Sequence, residues 1–374
     1  MPGIYIHIPF CKQACHYCDF HFSTSLKNKK PLLEALHSEL VLRSTELKRQ
    51  EINTIYFGGG TPSLLTAEEI NALLQSIGQY YRVSKNPEIT LEANPDDLSE
   101  EKIIELSQTS INRLSIGIQS FFDEDLQMMN RAHNAKEAES CLSVAKHYFK
   151  NITVDLIYGI PGLTNKRWKE NLQKTFDFGI PHISSYALTV EDKTALARFI
   201  KNKKYPELDE NLALEHFQTL ISETQKQGFL HYEISNFGQP GYFSRHNRSY
   251  WEGASYIGIG PSAHSFHNNR RSWNISNNAK YIQKLQQNEL ALTYETLTKK
   301  DRFNEYIMTG LRTIYGVSLE KVARDFGEDY RKHLLKEALP FLDRQTLVSD
   351  KKFLKVTSEG KFLTDGIAAS LFFI

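Results

Sequence analysis

The chain has 374 residues, of which 40% are hydrophobic, 24% charged and 11% aromatic. This composition is typical of a folded globular protein and excludes the disordered, collagen-like and coiled-coil classes. With 45 Lys and Arg residues against 44 Asp and Glu residues, the chain has no overall positive charge to attract nucleic acid or an anionic membrane surface.

The N-terminal sequence predicts a soluble, cytoplasmic protein. The first residues, MPGIYIHIPF, contain no basic segment, no apolar run of signal-peptide length and no small-residue cleavage site. The longest apolar stretches are shorter than the roughly 18 residues that a membrane span needs, so no transmembrane segment is expected. Three of the four cysteines fall within eight positions, which indicates a metal site and not a secreted disulfide framework.

From the N-terminus to about residue 190, short apolar runs alternate with amphipathic segments. The two clearest helix starts, at Thr66 with Glu69 and at Asn134 with Glu137, have the spacing of a capping box. Six successive βα units predict an α/β fold with a parallel sheet, either doubly wound or curled into an incomplete barrel. The predicted strands are 4–8, 52–57, 88–92, 113–119, 153–158 and 183–188, and the predicted helices include 31–49, 67–81 and 135–149.

The remainder of the chain predicts two further units. Residues 191–300 contain a helix at 211–227 and strands at 231–237 and 255–259, separated by an aromatic, Gly-rich loop, and are expected to extend the sheet. Residues 301–374 have the element order of a winged helix, with helices at 302–313, 319–325 and 330–343 and a hairpin at 347–357. Because residues 318–374 carry ten basic against nine acidic side chains, we interpret this unit as a packing or interaction module that binds no nucleic acid.

The most specific pattern is Cys11, Cys15 and Cys18, which follow the first strand with the spacing C-x3-C-x2-C. Thiolate ligands select zinc or iron-sulfur clusters, and cubane clusters usually take four cysteines. Cys141 lies in the middle of a predicted helix, where a lone cysteine is most often a small buried hydrophobe. The spacing therefore leaves two alternatives, a cluster with one open iron or a zinc site completed by His16 or His21.

Polar residues also follow each of the next four predicted strands. In parallel α/β sheets and barrels, the loops at the carboxyl ends of the strands converge on one rim, where ligands bind. The cysteine loop belongs to the same rim. The sequence therefore predicts a single pocket at this edge, lined by Gly58-Gly59-Gly60-Thr61-Pro62, Glu92-Ala93-Asn94-Pro95, Gln119, and Asp155 with Gly159-Ile160-Pro161-Gly162.

This succession of motifs resembles the radical S-adenosylmethionine (SAM) superfamily, within the oxygen-independent coproporphyrinogen III oxidase-like family. The resemblance implies an incomplete (βα)6 barrel with a sheet extension and a C-terminal module, and a [4Fe-4S] cluster on Cys11, Cys15 and Cys18. It implies that SAM binds the open fourth iron and that an electron donor reduces the cluster, with SAM cleavage left open. The SAM contacts implied by the resemblance are Tyr5, Tyr17, Gly59, Gly60, Thr61, Glu92, Gln119, Arg131, Asp155 and Ala187.

Within that family, the sequence resembles the HemW-like branch more than the dehydrogenases. The dehydrogenases carry a fourth cysteine at the position of Phe20 and a long extension before the first strand, which here begins at residue 4. The sequence His246-Asn247-Arg248-Ser249-Tyr250-Trp251 matches the HNxxYW pattern of the HemW-like proteins, in which the histidine is implicated in haem binding. The resemblance implies that His246 contacts haem, that Tyr250 and Trp251 pack against the porphyrin, and that Arg245 or Arg248 pairs with propionates.

The sequence is therefore consistent with three functions. The leading hypothesis is a haem chaperone that transfers haem to acceptor proteins, with a homodimer possible in view of related proteins. The alternatives are an oxygen-independent coproporphyrinogen III dehydrogenase of porphyrin biosynthesis, which Phe20 disfavours, and a zinc-stabilised interaction protein.

Overall fold

The computed structural model describes residues 1–47 and 50–374. Its strands, in chain order, are β1 (Gly3–Ile8), β2 (Ile52–Gly59), β3 (Val83–Ala93), β4 (Arg113–Gln119), β5 (Ile152–Tyr158), β6 (His182–Ala187), β7 (Leu230–Glu233), β8 (Asn236–Gly238), β9 (Tyr256–Ile259), β10 (His264–His267), β11 (Arg270–Asn274), β12 (Leu292–Thr296), β13 (Val317–Ser318), β14 (Leu347–Ser349) and β15 (Phe353–Val356). The helices are α1 (Lys29–Leu42), α2 (Ala67–Tyr80), α3 (Glu100–Ser107), α4 (Asp123–Met128), α5 (Ala135–Tyr148), α6 (Asn165–Asp177), α7 (Ala195–Lys201), α8 (Glu210–Lys226), α9 (Arg245–Trp251), α10 (Asn278–Gln286), α11 (Lys299–Leu311), α12 (Leu319–Phe326), α13 (Glu328–Asp343) and α14 (Thr364–Ser370).

The first six strands are parallel and lie side by side in chain order, from β1 to β6. Successive residues of a strand point to opposite faces of the sheet. In β1, Ile4, Ile6 and Ile8 are fully buried on one face, and Tyr5 and His7 lie on the other. Six consecutive parallel strands with intervening helices form the incomplete barrel, so the predicted α/β fold class is confirmed.

Residues 191–300 extend this sheet at both edges, as predicted. At one edge β8 and then β7 continue antiparallel from β6, and at the other β9 pairs in parallel with β1 before β10, β11 and β12 follow. The single strand predicted at 231–237 is wrong, because the chain reverses between β7 and β8. The Glu233 carboxylate accepts a hydrogen bond from the Ser235 backbone N–H and stabilises this turn.

The predicted aromatic loop between the strands of this region is also partly wrong, because residues 245–251 form α9. The Ser244 hydroxyl caps the helix by accepting a hydrogen bond from the Asn247 N–H. The Glu88 carboxylate of β3 accepts the N–H groups of Arg245 and His246 at 3.0 and 2.9 Å. An acidic side chain at a helix N-terminus satisfies unpaired donors, and α9 therefore depends on a residue 157 positions earlier.

The helix predicted at 31–49 is shorter than expected. α1 ends at Leu42, residues 43–47 form turns, and residues 48 and 49 lie outside the described residues. The side chain of Arg43 turns inward and is completely buried. Both predicted capping boxes are confirmed, at the starts of α2 and α5.

The C-terminal region has its own hydrophobic core. The main core extends from Ile4 to Ala291, whereas a second cluster joins buried residues from Phe303 to Leu371. Helices α11, α12 and α13 and the β14–β15 hairpin lie within a few residues of their predicted positions, and β13 adds a third strand. No helix in the described part of the chain is long and apolar enough to cross a membrane. The division into three units stays a prediction.

Candidate functional site

The cysteine loop follows β1 at the carboxyl end of the barrel strands. Cys11, Cys15 and Cys18 are each partly buried and carry free thiols. Burial raises the pKa of Cys11, and it raises the pKa of Cys18 to about 11, with the neighbouring thiols acting in the same direction. Within residues 1–47 and 50–374, no three His, Cys, Asp or Glu side chains are arranged to hold a metal ion. Cys141 is buried in α5, as expected of a core residue.

The two histidines of the zinc alternative are engaged elsewhere. His16 Nδ1 lies 2.9 Å from the Met128 carbonyl oxygen, and its ring packs edge-on against Phe199. His21 Nε2 lies 2.7 Å from Asn278 Oδ1. Either histidine would have to leave these partners to complete a zinc site.

Arg131 joins the cysteine loop to the strand ends. Its Nη1 donates to Cys15 Sγ at 3.3 Å, and its Nη2 donates to Asn94 Oδ1 at 2.6 Å and to the Gly117 carbonyl at 2.9 Å. Asn94 Nδ2 in turn donates to Thr61 Oγ1 at 3.2 Å. The structure thus joins two predicted SAM contacts, Arg131 and Thr61, through Asn94, and it links them to one cluster cysteine.

Two glycines allow this close approach. A Cβ atom on Gly117 would lie 2.8 Å from Gln119 Nε2 and 3.2 Å from an Arg131 guanidinium nitrogen. A Cβ atom on Gly60 would lie 2.6 Å from the Phe10 carbonyl oxygen, which also accepts the Thr61 N–H. A larger residue at position 117 would therefore displace Gln119 or Arg131, and one at position 60 would push the Gly-rich loop away from the backbone of Phe10.

Two carboxyl groups face the concave side of the barrel next to this network. Glu92 accepts hydrogen bonds from the Tyr56 hydroxyl at 2.8 Å and from the Gly59 N–H at 3.1 Å. Asp155 accepts one from the Ser115 hydroxyl at 3.2 Å. Desolvation raises the pKa of Glu92, and desolvation followed by the charge of Glu92 raises the pKa of Asp155 to about 7.

Neither carboxyl group has a cationic partner. Among the described residues, no Lys, Arg or His nitrogen lies within 4 Å of a Glu92 or Asp155 oxygen. A positively charged ligand favours the ionised form of nearby carboxyl groups. The concave face is therefore suited to a cation.

The other predicted SAM contacts lie around the same rim. Tyr5 lies beside Tyr56, with ring centroids 6.1 Å apart, and its hydroxyl is 3.2 Å from His7 Nδ1. Tyr17 is half-buried in the cysteine loop, and burial raises its pKa. Gln119 ends β4 with a φ of 64°, and Ala187 is the last residue of β6.

Tyr56 was not singled out from the sequence, and Asn94 was predicted as part of the pocket lining but not as a SAM contact. Asn94 connects Arg131 to Thr61, and Tyr56 donates to Glu92. The signal for Asn94 was present, because residues 92 and 94 share a face of an extended strand. Tyr56 lies in an apolar run, Ile55-Tyr56-Phe57, where core packing is the ordinary interpretation.

His246, the predicted haem contact, is buried inside the barrel. Its Nδ1 lies 2.8 Å from Thr54 Oγ1 and its Nε2 lies 2.7 Å from the Tyr250 hydroxyl. Its ring stacks on Tyr56, with centroids 4.9 Å apart. Burial, assisted by the positive charge of Arg113, lowers the pKa of His246 to about 3. The imidazole is therefore neutral at physiological pH, which is the form that binds iron.

The other residues of the HNRSYW segment have partners in this conformation. The Arg312 guanidinium lies over the Trp251 ring, 5.2 Å from its centroid. Arg248 pairs with Glu252 at 2.8 Å, and Arg245 Nη1 donates to the Asn86 carbonyl. The two arginines predicted to pair with propionates are thus engaged with the protein.

Comparison with known proteins decides the family. Residues 5–175 match the radical SAM superfamily and residues 297–363 match the HemN C-terminal domain. The chain is 33% identical to the heme chaperone HemW of Lactococcus lactis and 32% identical to that of Bacillus subtilis, with 97% of each chain covered in both cases. This chain belongs to the HemW family. The resemblance stated from the sequence is confirmed.

The fold of this HemW-family chain is shared with a solved structure, coproporphyrinogen III oxidase (HemN) from Escherichia coli. The TM-score is 0.87 at 23% identity, covering 99% of this chain and 90% of that chain. Radical SAM membership implies a [4Fe-4S] cluster and SAM. The donor chemistry of the residues fits both groups, although the three thiols do not converge in this conformation. Three cysteines share one loop at the rim, and within the described residues the two nearby carboxyl groups have no cationic partner.

Proposed function

We propose that this HemW-family chain is a haem chaperone that binds haem and transfers it to acceptor proteins. Its curated relatives in Lactococcus lactis and Bacillus subtilis are named heme chaperones. We further propose that Cys11, Cys15 and Cys18 hold a [4Fe-4S] cluster with SAM at the open iron. When bound and reduced, such a cluster supplies the electron that cleaves SAM.

The rim residues have distinct roles in this proposal. Arg131 pairs with the SAM carboxylate and keeps its contact with Cys15, because a guanidinium has several donors in one plane. Glu92 and Asp155 stabilise the positively charged end of SAM or accept its ribose hydroxyls. Gly59 and Gly60 allow the backbone to approach the ligand closely.

The main structural support for haem binding is the environment of His246. Its imidazole is neutral, and only the Tyr250 hydroxyl occupies Nε2. An iron atom binds at Nε2 when the Tyr250 side chain rotates away. The Nδ1 contact with Thr54 remains and holds the orientation of the ring, as the outer hydrogen bond of a metal-bound histidine does.

Haem binding is tested by an anaerobic haem titration of the cluster-reconstituted protein, followed by Soret absorption. We expect saturable uptake of about one haem per chain and at least a tenfold weaker affinity in His246→Ala, since a lost axial ligand weakens iron binding. His264→Ala is the matched control, because His264 is an exposed histidine of β10 that stacks on Trp273. Equal uptake by the wild type and His246→Ala would contradict the proposal.

A second variant separates ligation from folding. Tyr250→Phe keeps the ring but removes the hydroxyl that occupies Nε2. We expect this variant to bind haem more tightly than the wild type, whereas a misfolded site would bind it more weakly. A loss of affinity in Tyr250→Phe with unchanged thermal stability would show that the Tyr250 hydroxyl does not compete with iron for His246 Nε2.

The fold shared with coproporphyrinogen III oxidase favours oxidative decarboxylation as the second candidate function. Phe20 argues against it, because this side chain is 68% exposed at the position where the dehydrogenases carry a fourth cysteine. We expect no conversion of coproporphyrinogen III by the reduced, SAM-loaded protein. Turnover in that assay would replace the chaperone proposal.

Four further assignments belong to this proposal. Haem delivery requires acceptor proteins, and cluster reduction requires an electron donor. A homodimer and a cytoplasmic location are proposed on the resemblance alone.

A further inference from the structure

A pocket of about 440 Å³ lies between the β7–β8 hairpin and the C-terminal module. It is separate from the SAM rim, and its lining residue Arg312 lies over the ring of the predicted haem contact Trp251. Its volume is within the range of small-ligand sites. The charged and titratable side chains that line it are His231, Glu233, Arg312, Lys355, Glu359 and Lys361.

Lys361 is a partly desolvated cation with a neutral partner. Its Nζ lies 2.8 Å from His231 Nδ1, and burial lowers the pKa of Lys361. His231 Nε2 lies 3.1 Å from the Ile234 carbonyl, and burial followed by the charge of Lys361 lowers the pKa of His231 to about 3. The Lys361 ammonium therefore donates to an uncharged imidazole. Removing an ammonium from water without a counter-ion is costly.

Lys355 adds a second positive charge without a carboxylate partner. In the two described ranges, no Asp or Glu oxygen lies within 4 Å of the Lys355 or Lys361 Nζ. Arg312 pairs with Asp365 and lies over Trp251, and its Nε has no hydrogen-bond partner within the described part of the chain. The C-terminal side of the pocket is therefore short of negative charge.

The two acidic lining residues do not neutralise these lysines. Glu233 is buried, and its carboxylate accepts from the Ser235 N–H and the Asn236 amide, so it is directed into its own hairpin. Glu359 is exposed. Two lysines without carboxylate partners thus remain beside a cavity of ligand size.

We propose that this pocket is an anion-binding site that takes a carboxylate or phosphate group between Lys355 and Lys361. The proposal rests on the pocket's own charges and not on haem binding. Carboxylates and phosphates share the chemistry that two ammonium groups recognise. A propionate of bound haem and a free phosphate are two sources of such a group.

The test uses the full chain and two probes. Inorganic phosphate is titrated calorimetrically, and haem is compared with haem dimethyl ester, which lacks the carboxylates, by Soret absorption. Lys361→Gln and Lys355→Gln are compared with Lys336→Gln, which removes one charge from an 80% exposed lysine of α13. Thermal unfolding confirms that each variant is folded.

We expect at least a tenfold loss of anion affinity in Lys361→Gln, a smaller loss in Lys355→Gln, and less than a twofold change in Lys336→Gln. A loss of phosphate affinity in Lys361→Gln identifies a free anion as the ligand of the pocket. If Lys361→Gln no longer binds haem more tightly than haem dimethyl ester, the ligand of the pocket is a haem propionate. If Lys361→Gln behaves as the wild type with both probes, the inference is wrong. A wild type that binds phosphate but no haem would refute the proposed function alone.

Discussion

Buried charged groups on the two faces of the barrel sheet differ in how completely they are paired. On the outer face, Glu39 and Arg43 are both fully buried and pair at 3.0 Å. Arg43 also donates to the Gly258 carbonyl and to Glu46, and Glu39 accepts from the Gly260 N–H and the Tyr281 hydroxyl. Nearly every donor and acceptor of this network has a partner.

On the concave face, charged groups lack ionic partners among the described residues. Arg113 is 1% exposed, and it donates to the Thr153 hydroxyl while its Nε has no partner in residues 1–47 and 50–374. Glu92 and Asp155 accept hydrogen bonds from neutral donors. A complete network stabilises the fold, whereas an incomplete one on a concave surface leaves charge for a ligand. The buried pair on the outer face is therefore structural, whereas the concave face is a candidate binding site.

The largest expected effect comes from breaking the outer network. Arg43→Met leaves Glu39 buried without its cation, which typically costs about 3–5 kcal/mol. We expect a loss of that size in the free energy of unfolding, measured by chemical denaturation. Arg82→Met is the control, because the Arg82 pair with Glu51 is exposed and should contribute less than about 1 kcal/mol. Similar losses of unfolding free energy in both variants would show that the buried ion pair stabilises the fold no more than the exposed one.

On the concave face, Glu92→Gln should change ligand binding more than stability. The amide oxygen can still accept from Tyr56, but the negative charge is lost. We expect roughly a 10- to 100-fold weaker affinity for SAM, which corresponds to about 1.4–2.8 kcal/mol, with a nearly unchanged melting temperature. Equilibrium dialysis on the reconstituted protein measures the affinity, and Glu100→Gln at the exposed start of α3 is the control. Unaltered SAM affinity would exclude Glu92 from the site.

A smaller effect is expected in the pH dependence of stability without ligands. The pKa of Asp155 is about 7 in the folded chain, against about 3.9 when unfolded. The folded state therefore binds this proton more tightly, and its contribution is present below pH 4 and lost as the pH rises through 7. The Asp155→Asn variant has no carboxyl proton to lose at this position. Its free energy of unfolding relative to that of the wild type should therefore rise with pH.

The difference between these two pKa values sets an upper bound of about 4 kcal/mol on the rise between pH 4 and pH 8. Urea denaturation at several pH values measures it, and Asp192→Asn, at an exposed acid, should show no such trend. A difference independent of pH would mean that Asp155 ionises as freely in the folded chain as in the unfolded chain.

The barrel could be predicted from the sequence because each βα unit carries its own local signals. The capping boxes at Thr66 and Asn134 are visible within four residues. The rim residues could be placed because parallel strands carry their carboxyl-terminal loops to one edge. Helix α9 could not be predicted in this way, because its N-terminus is stabilised by Glu88 from a distant strand.

The burial of His246 was not predictable either. Its residue type and its position in HNRSYW indicated a haem contact, which stays a prediction. Its hydrogen bond to Thr54 and its stacking on Tyr56 arise only when α9 packs against β2. The anion pocket likewise depends on contact between the hairpin and the C-terminal module, which no single segment encodes.

The position of β1 has a consequence for the order of events during synthesis. This strand leaves the ribosome before β2 and β9, yet it pairs on one side with β2 and on the other with β9, some 250 residues later. Chains are made from the N-terminus, and such distant pairing forms late. The base of the cysteine loop is therefore fixed on both sides only after β9 has been made. Cluster insertion should accordingly follow the synthesis of β9.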